Sequence, residues 1–536
     1  GDFALWGVGH VAEVFSSHLQ AAVMGVEAVR HYAKYGMAGL FHRDQLGEAV
    51  SGIRQLFSKT TVQLDASSLT LGSYYLLAYR RKQRRDEPLA EEREVQKHSR
   101  AVPEGVMEVV QWILPMALHM VFQTAPFDAQ RLCHHQGWEL VAERLGSSEP
   151  GRPAFAVVAR QRPRKVALIC IRGTDAENSP EEVFADLRVT PEPVVIPGLG
   201  TGSGFVHRGM WDSSTFVQRE LEIPIQDLSA AGYKIMVTGH SAGAGVGALL
   251  ALRLRQRFSA EFVGFGTPTV CNLAMAKAAE AFCINVVNAY DAIPRISAAS
   301  VQTLVEQVVT TFHSPECDED YAEDMQYLRE RLKNVWEPRV RQSDEPTDPT
   351  PETPKLGGQA KAAADVGGLF VPGAVMYTYH VEGTLDCRLV RCQFPGLLRL
   401  EAHHRMLEDH TAASYLDALR MVQARREATQ RPDFHRVAWQ PFRDASAACP
   451  CCRNRYTWAS TSHSRAQRFR DMTNCRGCGR VVCRRCASET RTYPRQGIVV
   501  PAPTCEECVW RRDAPGEVSV QELLAAGQRG GGEEAA

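Results

Sequence analysis

Two groups of residues in this 536-residue sequence have types and spacings that support chemistry. The first is the segment 239–243, which reads Gly-His-Ser-Ala-Gly and places Ser241 between two glycines. An apolar run precedes the segment and small residues follow it, which predicts a strand, a tight turn and a helix. Such a turn projects the serine hydroxyl above a sheet, and the start of the helix stabilises negative charge beside it. The sequence therefore predicts Ser241 as a nucleophile.

A serine nucleophile needs a histidine that accepts its proton and a carboxylate that orients the histidine. In enzymes with an α/β-hydrolase fold the three residues follow the chain order Ser, acid, His. Asp291 follows an apolar run and should lie at the end of a strand, so it is the predicted acid. His410 stands just before a helix and is the favoured base. His380, His403 and His404 are rival bases, the last two being expected at the surface.

The second group consists of four Cys-x2-Cys pairs near the C-terminus. The pairs are Cys449 and Cys452, Cys475 and Cys478, Cys483 and Cys486, and Cys505 and Cys508. This spacing predicts two structural Zn²⁺ sites with four thiolates each, the first pair joining the third and the second joining the fourth. Cys451 is a ninth thiol that could replace a neighbour.

The elements that must position these residues are visible as alternating apolar runs and helical patterns. Strands are predicted at 154–160, 165–172, 233–238, 261–265, 284–289, 374–381 and 386–394, with helices at 242–255 and 412–425. Strands that alternate with helices predict an α/β sheet containing parallel pairs. The apolar segment 105–122 includes Glu108 and Pro115, which favours a buried or interfacial helix over a membrane span.

Four regions are expected along the chain. They are a mostly helical region at 1–150, an α/β core at 151–437 with a mobile insertion near 342–365, a zinc-stabilised domain at 438–512, and a disordered tail at 513–536. Within the first region, the apolar segment 69–79 runs into the basic segment 80–85. This pattern is typical of a membrane-surface element or of a packed helix with a solvated basic end, and we favour the packed helix.

Residues 150–420 resemble the class 3 lipases, in particular their diacylglycerol lipase branch. Six stretches show the resemblance: 171–174 (Ile-Arg-Gly-Thr), 184–187 (Phe-Ala-Asp-Leu), 207–210 (His-Arg-Gly-Met), 239–245 (Gly-His-Ser-Ala-Gly-Ala-Gly), 264–268 (Gly-Phe-Gly-Thr-Pro) and 290–295 (Tyr-Asp-Ala-Ile-Pro-Arg). The resemblance implies an α/β-hydrolase-type lipase core with a triad of Ser241, Asp291 and His410. It also implies that Thr174 and the backbone N–H of Ala242 bind the oxyanion.

By this resemblance the protein is expected to hydrolyse an acylglycerol ester, similar to a diacylglycerol, through an acyl-serine intermediate and without a catalytic cofactor. The long segment between Asp291 and His410 includes the insertion near 342–365, which resembles a regulatory loop of some diacylglycerol lipases. Two alternatives remain open. One is a phospholipase of the same fold, and the other is a catalytically idle scaffold that binds lipid or protein through its zinc domain.

The cysteine-rich region resembles a FYVE zinc finger, especially over 475–483; a RING finger, the rival, would usually place a histidine among the ligands. FYVE domains bind phosphatidylinositol 3-phosphate on endosomes, but the basic pair expected before the third cysteine is absent from 471–474. The resemblance therefore implies the fold rather than that specific lipid. Residues 449–512 hold 13 Arg and four acidic residues, which predicts binding to an anionic membrane surface through Arg480, Arg484 and Arg485.

Composition excludes some classes of function. A net charge of −1 argues against a protein built mainly to bind nucleic acid. The chain opens without a recognisable secretory signal, and seven cysteines outside the paired region are scattered without a disulfide pattern. We therefore expect a cytoplasmic protein that associates peripherally with membranes, endosomes being one candidate.

Overall fold

The computed structural model describes residues 66–120, 126–146, 151–173, 191–196, 203–336, 368–381, 383–456 and 471–510. Its helices are α1 (Ala66–Asp86), α2 (Ala90–Lys97), α3 (Glu104–His119), α4 (Pro126–His135), α5 (Arg208–Glu220), α6 (Glu222–Ala230), α7 (Ala242–Leu254), α8 (Leu273–Ala278), α9 (Ala298–Phe312), α10 (Pro315–Trp336), α11 (Pro395–Leu398), α12 (Ala412–Thr429) and α13 (Glu506–Trp510).

The strands are β1 (Ser99–Arg100), β2 (Glu139–Arg144), β3 (Phe155–Arg160), β4 (Val166–Ile171), β5 (Pro191–Val195), β6 (Ser203–His207), β7 (Lys234–His240), β8 (Glu261–Phe265), β9 (Cys283–Val287), β10 (Ala374–Val381), β11 (Thr384–Val390), β12 (Met472–Asn474), β13 (Val481–Cys483), β14 (Glu489–Tyr493) and β15 (Ile498–Thr504).

A mixed sheet forms the centre of the α/β core, called the catalytic core below because it contains the predicted triad. Its order is β1-β11-β10-β9-β8-β7-β4-β3-β2, and the five strands from β10 to β4 run parallel to one another. Since parallel strands end at the same edge of a sheet, the segments that follow β7, β8 and β9 meet there. Ser241 follows β7, and Asp291 lies shortly after β9, so both are delivered to one edge.

The predicted α/β fold is confirmed, because every strand expected between 154 and 394 is present within a few residues of its expected bounds. Two further strands come from the first 150 residues. The two-residue β1 pairs with β11, and β2 pairs with β3, so both lie at the edges of the same sheet. The described part of the first region therefore contributes directly to the core sheet.

Helices cover both faces of the sheet, which gives the core two hydrophobic layers. On one face α3 buries Met107, Val110, Ile113 and Met116 completely, together with side chains of α12. On the other face α5 and α7 pack against β4 and β7. The segment expected as a buried or interfacial helix is thus a core helix. None of the described helices is both long and apolar enough to cross a membrane.

Helix α1 lies between the catalytic core and the cysteine-rich domain. Its apolar half packs as we favoured, with Tyr75 buried and donating a hydrogen bond to Asp324 over 2.7 Å. The expectation of a solvated basic end is wrong. Arg84 donates to the carbonyl oxygen of Ala402 over 3.2 Å, and the Arg85 guanidinium lies 5.0 Å from the centre of the Trp439 ring.

The cysteine-rich domain consists of two small antiparallel pairs, β12 with β13 and β14 with β15. It packs closely on the catalytic core. Thr384 donates to the carbonyl oxygen of Gly497 over 3.2 Å, and a Cβ added to Gly497 would lie 2.6 Å from the Cα of Arg425 on α12. The insertion near 342–365 and the tail 513–536 lie outside the described residues.

Candidate active site

The turn between β7 and α7 places Ser241 in a conformation that few residues adopt. Ser241 has φ +58° and ψ −132°, a strained backbone state that persists only where the surroundings enforce it. The flanking glycines are required by close contact between chain segments. A Cβ added to Gly239 would lie 2.6 Å from the carbonyl carbon of Gly243, and one added to Gly243 would lie 2.3 Å from the carbonyl oxygen of Ile171.

The structure brings the three predicted triad residues into one line of hydrogen bonds. The Ser241 hydroxyl lies 2.8 Å from Nε2 of His410, which is the distance of a hydrogen bond donated by the hydroxyl. Nδ1 of His410 lies 3.0 Å from each carboxylate oxygen of Asp291. Nδ1 therefore carries the proton and donates to Asp291, which leaves Nε2 free to accept the serine proton.

Asp291 is completely buried and is kept ionised by its partners. Burial acts to raise its pKa, but His410, the Tyr415 hydroxyl and the backbone N–H of Ile293 together lower the pKa below its usual range. The Tyr415 hydroxyl donates to Oδ2 over 2.6 Å, and the N–H of Ile293 donates to Oδ1 over 2.9 Å. The carboxylate can thus stabilise positive charge that develops on His410.

His240, the residue before the nucleophile, supports the His410 ring. The two rings stack with centres 4.7 Å apart, and Nε2 of His240 donates to the carbonyl oxygen of His410 over 2.8 Å. Burial, and then the nearby His410, lower the pKa of His240 to about 4, so it is neutral at pH 7. A neutral donor fixes the base without adding a competing positive charge.

Asp409 fixes the loop that carries the base. Its carboxylate accepts the backbone N–H of Tyr290 over 3.1 Å and Nε of Arg405 over 2.8 Å. The side-chain amide of Asn288 donates to the Asp409 carbonyl oxygen over 2.9 Å. These bonds join the segment before Asp291 to the segment before His410, so the acid and the base are held by one polar network.

Of the two groups predicted to bind the oxyanion, the structure describes Ala242 but not Thr174. Ala242 is the first residue of α7, where backbone N–H groups have no acceptor within the helix. Its N–H is therefore available to a negatively charged oxygen beside Ser241. Thr174 lies outside the described residues, as does the segment 184–187.

The rival histidines occupy a different cluster. His403 and His380 stack on the Tyr290 ring, with centre-to-centre distances of 3.7 Å and 5.5 Å. His403 is only 9% exposed, so the expectation of a surface position is wrong for this residue, whereas His404 is exposed. The Tyr290 ring covers one face of His403, and the Arg84 guanidinium at the end of α1 lies 5.1 Å from the Tyr290 ring centre.

The sequence predicts no role for several residues of the site. Tyr415 and His240 are visible only as neighbours of predicted residues, five positions after His410 and one before Ser241. Gly266 is another: it has φ +62°, and an added Cβ would lie 2.9 Å from Cε1 of His410. Gly266 belongs to the stretch 264–268 that resembles the family, and the close approach of this segment to the triad explains why a glycine is needed there.

The cysteines gather into two sets of four, a candidate metal centre in each. Cys449, Cys452, Cys483 and Cys486 form one set, and Cys475, Cys478, Cys505 and Cys508 form the other, with the sulfur atoms of each set within 4.8 Å of one another. This is the interleaved grouping that the spacing predicts. Cys451 belongs to neither set.

The geometry of both sets fits a tetrahedral metal ion. The Sγ atoms of Cys452 and Cys483 lie 3.8 Å apart, and those of Cys478 and Cys505 lie 3.9 Å apart. A tetrahedron with Zn–S bonds of about 2.3 Å has S···S edges of about 3.8 Å. Backbone N–H groups also point at the sulfurs, as between Cys505 and Cys475 at 3.2 Å, which stabilises thiolates.

The three arginines predicted to contact membranes are not equivalent. Arg484 and Arg485 are exposed between ligand cysteines. Arg480 is only partly exposed and forms an ion pair with Glu507. Arg484 and Arg485 are therefore the more exposed of the three and the better candidates for an anionic surface, whereas the charge of Arg480 is partly compensated by Glu507.

Comparison with known proteins identifies relatives of the catalytic core. Residues 168–301 match the sequence model of the family Lipase (class 3). Diacylglycerol lipase-beta of Mus musculus is 27% identical over 161 residues, which cover 29% of this chain and 23% of that protein. Diacylglycerol lipase-alpha of Rattus norvegicus is 30% identical over 165 residues, which cover 28% of this chain and 15% of that protein. The chain thus spans less than a quarter of the length of these relatives.

Among solved structures, the triacylglyceride lipase of Rhizomucor miehei is 24% identical over 37% of this chain and 76% of its own, with a TM-score of 0.31. The native Rhizomucor miehei lipase propeptide complex is 16% identical over 56% of this chain and 81% of its own, with a TM-score of 0.33. Residues 168–301 are thus similar in sequence to class 3 lipases, and Ser241, His410 and Asp291 have the arrangement of a catalytic triad.

Proposed function

We propose that this protein is a serine lipase that hydrolyses an acylglycerol ester, similar to a diacylglycerol, through an acyl-Ser241 intermediate. The observation that supports this most strongly is the continuous hydrogen-bonded line from Ser241 through His410 to Asp291. The names of the diacylglycerol lipases that match the core favour an acylglycerol over other esters.

In the first half of the reaction, Oγ of Ser241 attacks the ester carbonyl carbon while Nε2 of His410 accepts the hydroxyl proton. Negative charge moves to the carbonyl oxygen, beside the N–H of Ala242 at the start of α7. Asp291 stabilises the imidazolium that forms. The C–O bond to the leaving alcohol then breaks, and Nε2 returns the proton to that oxygen.

In the second half, a water molecule attacks the acyl carbon and His410 accepts its proton. The tetrahedral intermediate collapses, the bond to Oγ breaks, and the proton passes from Nε2 to Ser241. The fatty acid is released and the hydroxyl is restored. Each step uses the same three side chains, so losing any one of them should cost several orders of magnitude in rate without additivity.

A hydrolysis panel separates this proposal from its alternatives. Purified protein is assayed against diacylglycerol, triacylglycerol and phospholipid vesicles, with Ser241→Ala as the inactive control. Preference for diacylglycerol supports the proposal, and preference for phospholipid would instead identify a phospholipase of the same fold. Equal, negligible turnover by both proteins on every substrate would favour the idle scaffold.

We further propose that each set of four cysteines binds a structural Zn²⁺ and that the resulting domain holds the enzyme at an anionic membrane surface. Thiolate donors at tetrahedral spacing favour zinc. The excess of arginine over acidic residues favours an anionic lipid headgroup, a phosphoinositide being one candidate. This implies a cytoplasmic enzyme that associates peripherally with membranes such as endosomes.

Vesicle sedimentation at rising salt concentration tests the membrane proposal. Arg484→Gln and Arg485→Gln should each weaken binding to anionic vesicles, and Arg480→Gln should weaken it less because Arg480 pairs with Glu507. Arg164→Gln, in the exposed turn between β3 and β4, is a charge-matched control that should bind normally. Salt-resistant binding to one phosphoinositide alone would contradict attraction by diffuse charge.

A further inference from the structure

A polar network beside the catalytic acid includes two residues, Glu91 and Tyr377, from outside the matched family segment at residues 168–301. Glu91 lies in the first turn of α2 and receives two tyrosine hydroxyls. Tyr377 on β10 donates to Oε1 over 3.2 Å, and Tyr290 donates to Oε2 over 3.4 Å. Tyr290 directly precedes Asp291, so Glu91 is one side chain away from the residue that orients the base.

The second arm of the network passes through a buried guanidinium. The Tyr377 hydroxyl accepts Nη2 of Arg295 over 3.0 Å, and Arg295 is only 3% exposed. The same guanidinium donates to the backbone carbonyl oxygens of Asp291 and Ala289. Arg295 therefore binds both ends of the three-residue turn that presents the catalytic carboxylate.

That turn needs external support. Ala289 has φ +35°, a conformation that residues with a side chain rarely adopt. Strained backbone of this kind persists only where surrounding contacts over-determine it. The contacts here are the Arg295 guanidinium, the Tyr290 hydroxyl bond to Glu91, and the Asp409 bond to the Tyr290 N–H.

We propose that Glu91 is a positioning residue for the reaction proposed above, acting through Tyr290, Tyr377 and Arg295 to hold Asp291 in line with His410. Its hydrogen bonds go to Tyr290 and Tyr377 and not to the side chains of the triad. The proposal rests on the proposed function of the triad and assigns a catalytic consequence to helix α2, which precedes the family match at residues 168–301.

The charges around Glu91 give this role a pH dependence. Burial, and then repulsion from Glu401, raise the pKa of Glu91 to about 7, against the attraction of Arg295 and Arg84 and the hydrogen bond from Tyr377. Below that pH the carboxyl group is protonated and no longer presents a negative charge to Arg295. Support for the turn should therefore weaken as pH falls through about 7.

Paired substitutions test the role of Glu91. Activity of wild type, Glu91→Gln, Glu91→Ala and the control Glu94→Gln is measured on a soluble short-chain ester over a range of pH. Glu94 is on the same helix, and its side chain is 42% exposed. We expect Glu91→Ala to lower kcat about tenfold with little change in KM, which corresponds to ~1.4 kcal/mol of barrier.

Glu91→Gln, which still accepts a hydroxyl but carries no charge, should have a kcat between those of wild type and Glu91→Ala at neutral pH and should show a smaller rise in kcat than wild type as pH increases through about 7. Wild-type kcat and pH profile in Glu91→Ala would overturn the proposal, as would equal losses of kcat in the Ala and Gln variants with the full wild-type rise in kcat through pH 7 retained. An inactive wild type would contradict the proposed function itself, whereas an active wild type with an unaffected Glu91→Ala would contradict only the role of Glu91.

Discussion

At the scale of single residues, the Asp291 carboxylate combines complete burial with a full set of hydrogen-bond donors. A carboxylate without such donors would be protonated in the interior and could not stabilise an imidazolium. Here His410, Tyr415 and the Ile293 N–H each donate to it. Tyr415 is the donor that a single substitution can remove without deleting the triad.

Tyr415→Phe should lower kcat while leaving the protein folded. The change removes a hydrogen bond to an ionised group, a bond that contributes about 1.5–3 kcal/mol, so a fall of roughly ten- to a hundredfold is expected. The pKa of Asp291 should move upward, since one of its lowering partners is lost. Kinetics on a soluble ester provide the measurement.

Tyr379→Phe is the matched control for that experiment. Its hydroxyl contacts Asp386, away from the triad, so its loss should leave kcat unchanged. Equal kinetics in Tyr415→Phe and wild type would show that the hydroxyl does not support the acid.

The triad could be predicted residue by residue because each member has a local signature. Ser241 has its flanking glycines, Asp291 follows an apolar strand, and His410 precedes a helix. Glu91 could not be found in this way, since its partner Tyr377 lies 286 positions away. Contacts of that kind depend on how separate elements pack, and sequence spacing does not encode them.

At the scale of elements, the tight turn between β7 and α7 depends on the approach of β4. Gly243 lies against the backbone of Ile171 and Arg172, the end of the neighbouring strand. That contact sets the height of Ser241 above the sheet. A side chain at this position would separate β4 from α7 and move the nucleophile.

Gly243→Ala should therefore destabilise the protein and abolish activity. The added methyl would lie 2.3 Å from the carbonyl oxygen of Ile171, a clash with backbone that cannot rotate away. Gly105→Ala on α3, where no atom lies within 4 Å of the added Cβ, is the control and should be tolerated. Thermal unfolding and esterase assays compare the two, and a tolerated Gly243→Ala would contradict the tight packing.

Sequence analysis did not predict β1 and β2, and it placed the basic end of α1 in solvent. β1 has two residues and β2 lies at a sheet edge, so neither has the long apolar run that predicts a central strand. The basic end of α1 resembles a solvated surface, yet Arg85 packs on Trp439 of the cysteine-rich region. Flat aromatic rings can bury a guanidinium, and a hydropathy pattern does not show which partner is present.

At the scale of the whole molecule, the cysteine-rich domain packs directly against the helix that follows the catalytic histidine. Gly497 contacts Arg425 on α12, and Arg81 on α1 donates to the carbonyl oxygen of Met472 over 2.7 Å. Structural zinc contributes folding energy to small domains of this kind. Loss of the metal should therefore lower the stability of the catalytic core as well as that of the cysteine-rich domain.

Metal removal should lower the thermal stability of the full chain and its esterase activity together. A zinc chelator is added under reducing conditions, and unfolding is followed by circular dichroism alongside activity on a soluble ester. Cys478→Ser should reproduce the loss, whereas Cys451→Ser, outside both sets, should not. An unchanged unfolding curve and unchanged activity after verified zinc removal would contradict coupling between the domains.

Stability should fall as the solution is acidified from about pH 6.5. Burial, followed by Arg405, lowers the pKa of His380 to about 3, and burial with Arg84 lowers the pKa of His403 well below 6.5. At His380 and His403 the unfolded chain then binds two protons that the folded chain does not, against one bound only by the folded chain at Glu91, so the free energy of unfolding decreases as pH falls. Chemical denaturation at several pH values measures the slope, which His380→Gln should reduce; an unchanged slope in that variant would contradict burial of a neutral His380.

The most direct test of the central claim is labelling by a fluorophosphonate probe, which reacts with a serine only when a neighbouring base activates it. Wild-type protein should be labelled on Ser241, as mapped by mass spectrometry of the modified peptide. Ser241→Ala and His410→Ala should not be labelled at that peptide, and Asp291→Asn should be labelled far more slowly. Absence of labelling in folded, zinc-loaded wild type, or equal labelling in His410→Ala, would contradict the assignment of this triad.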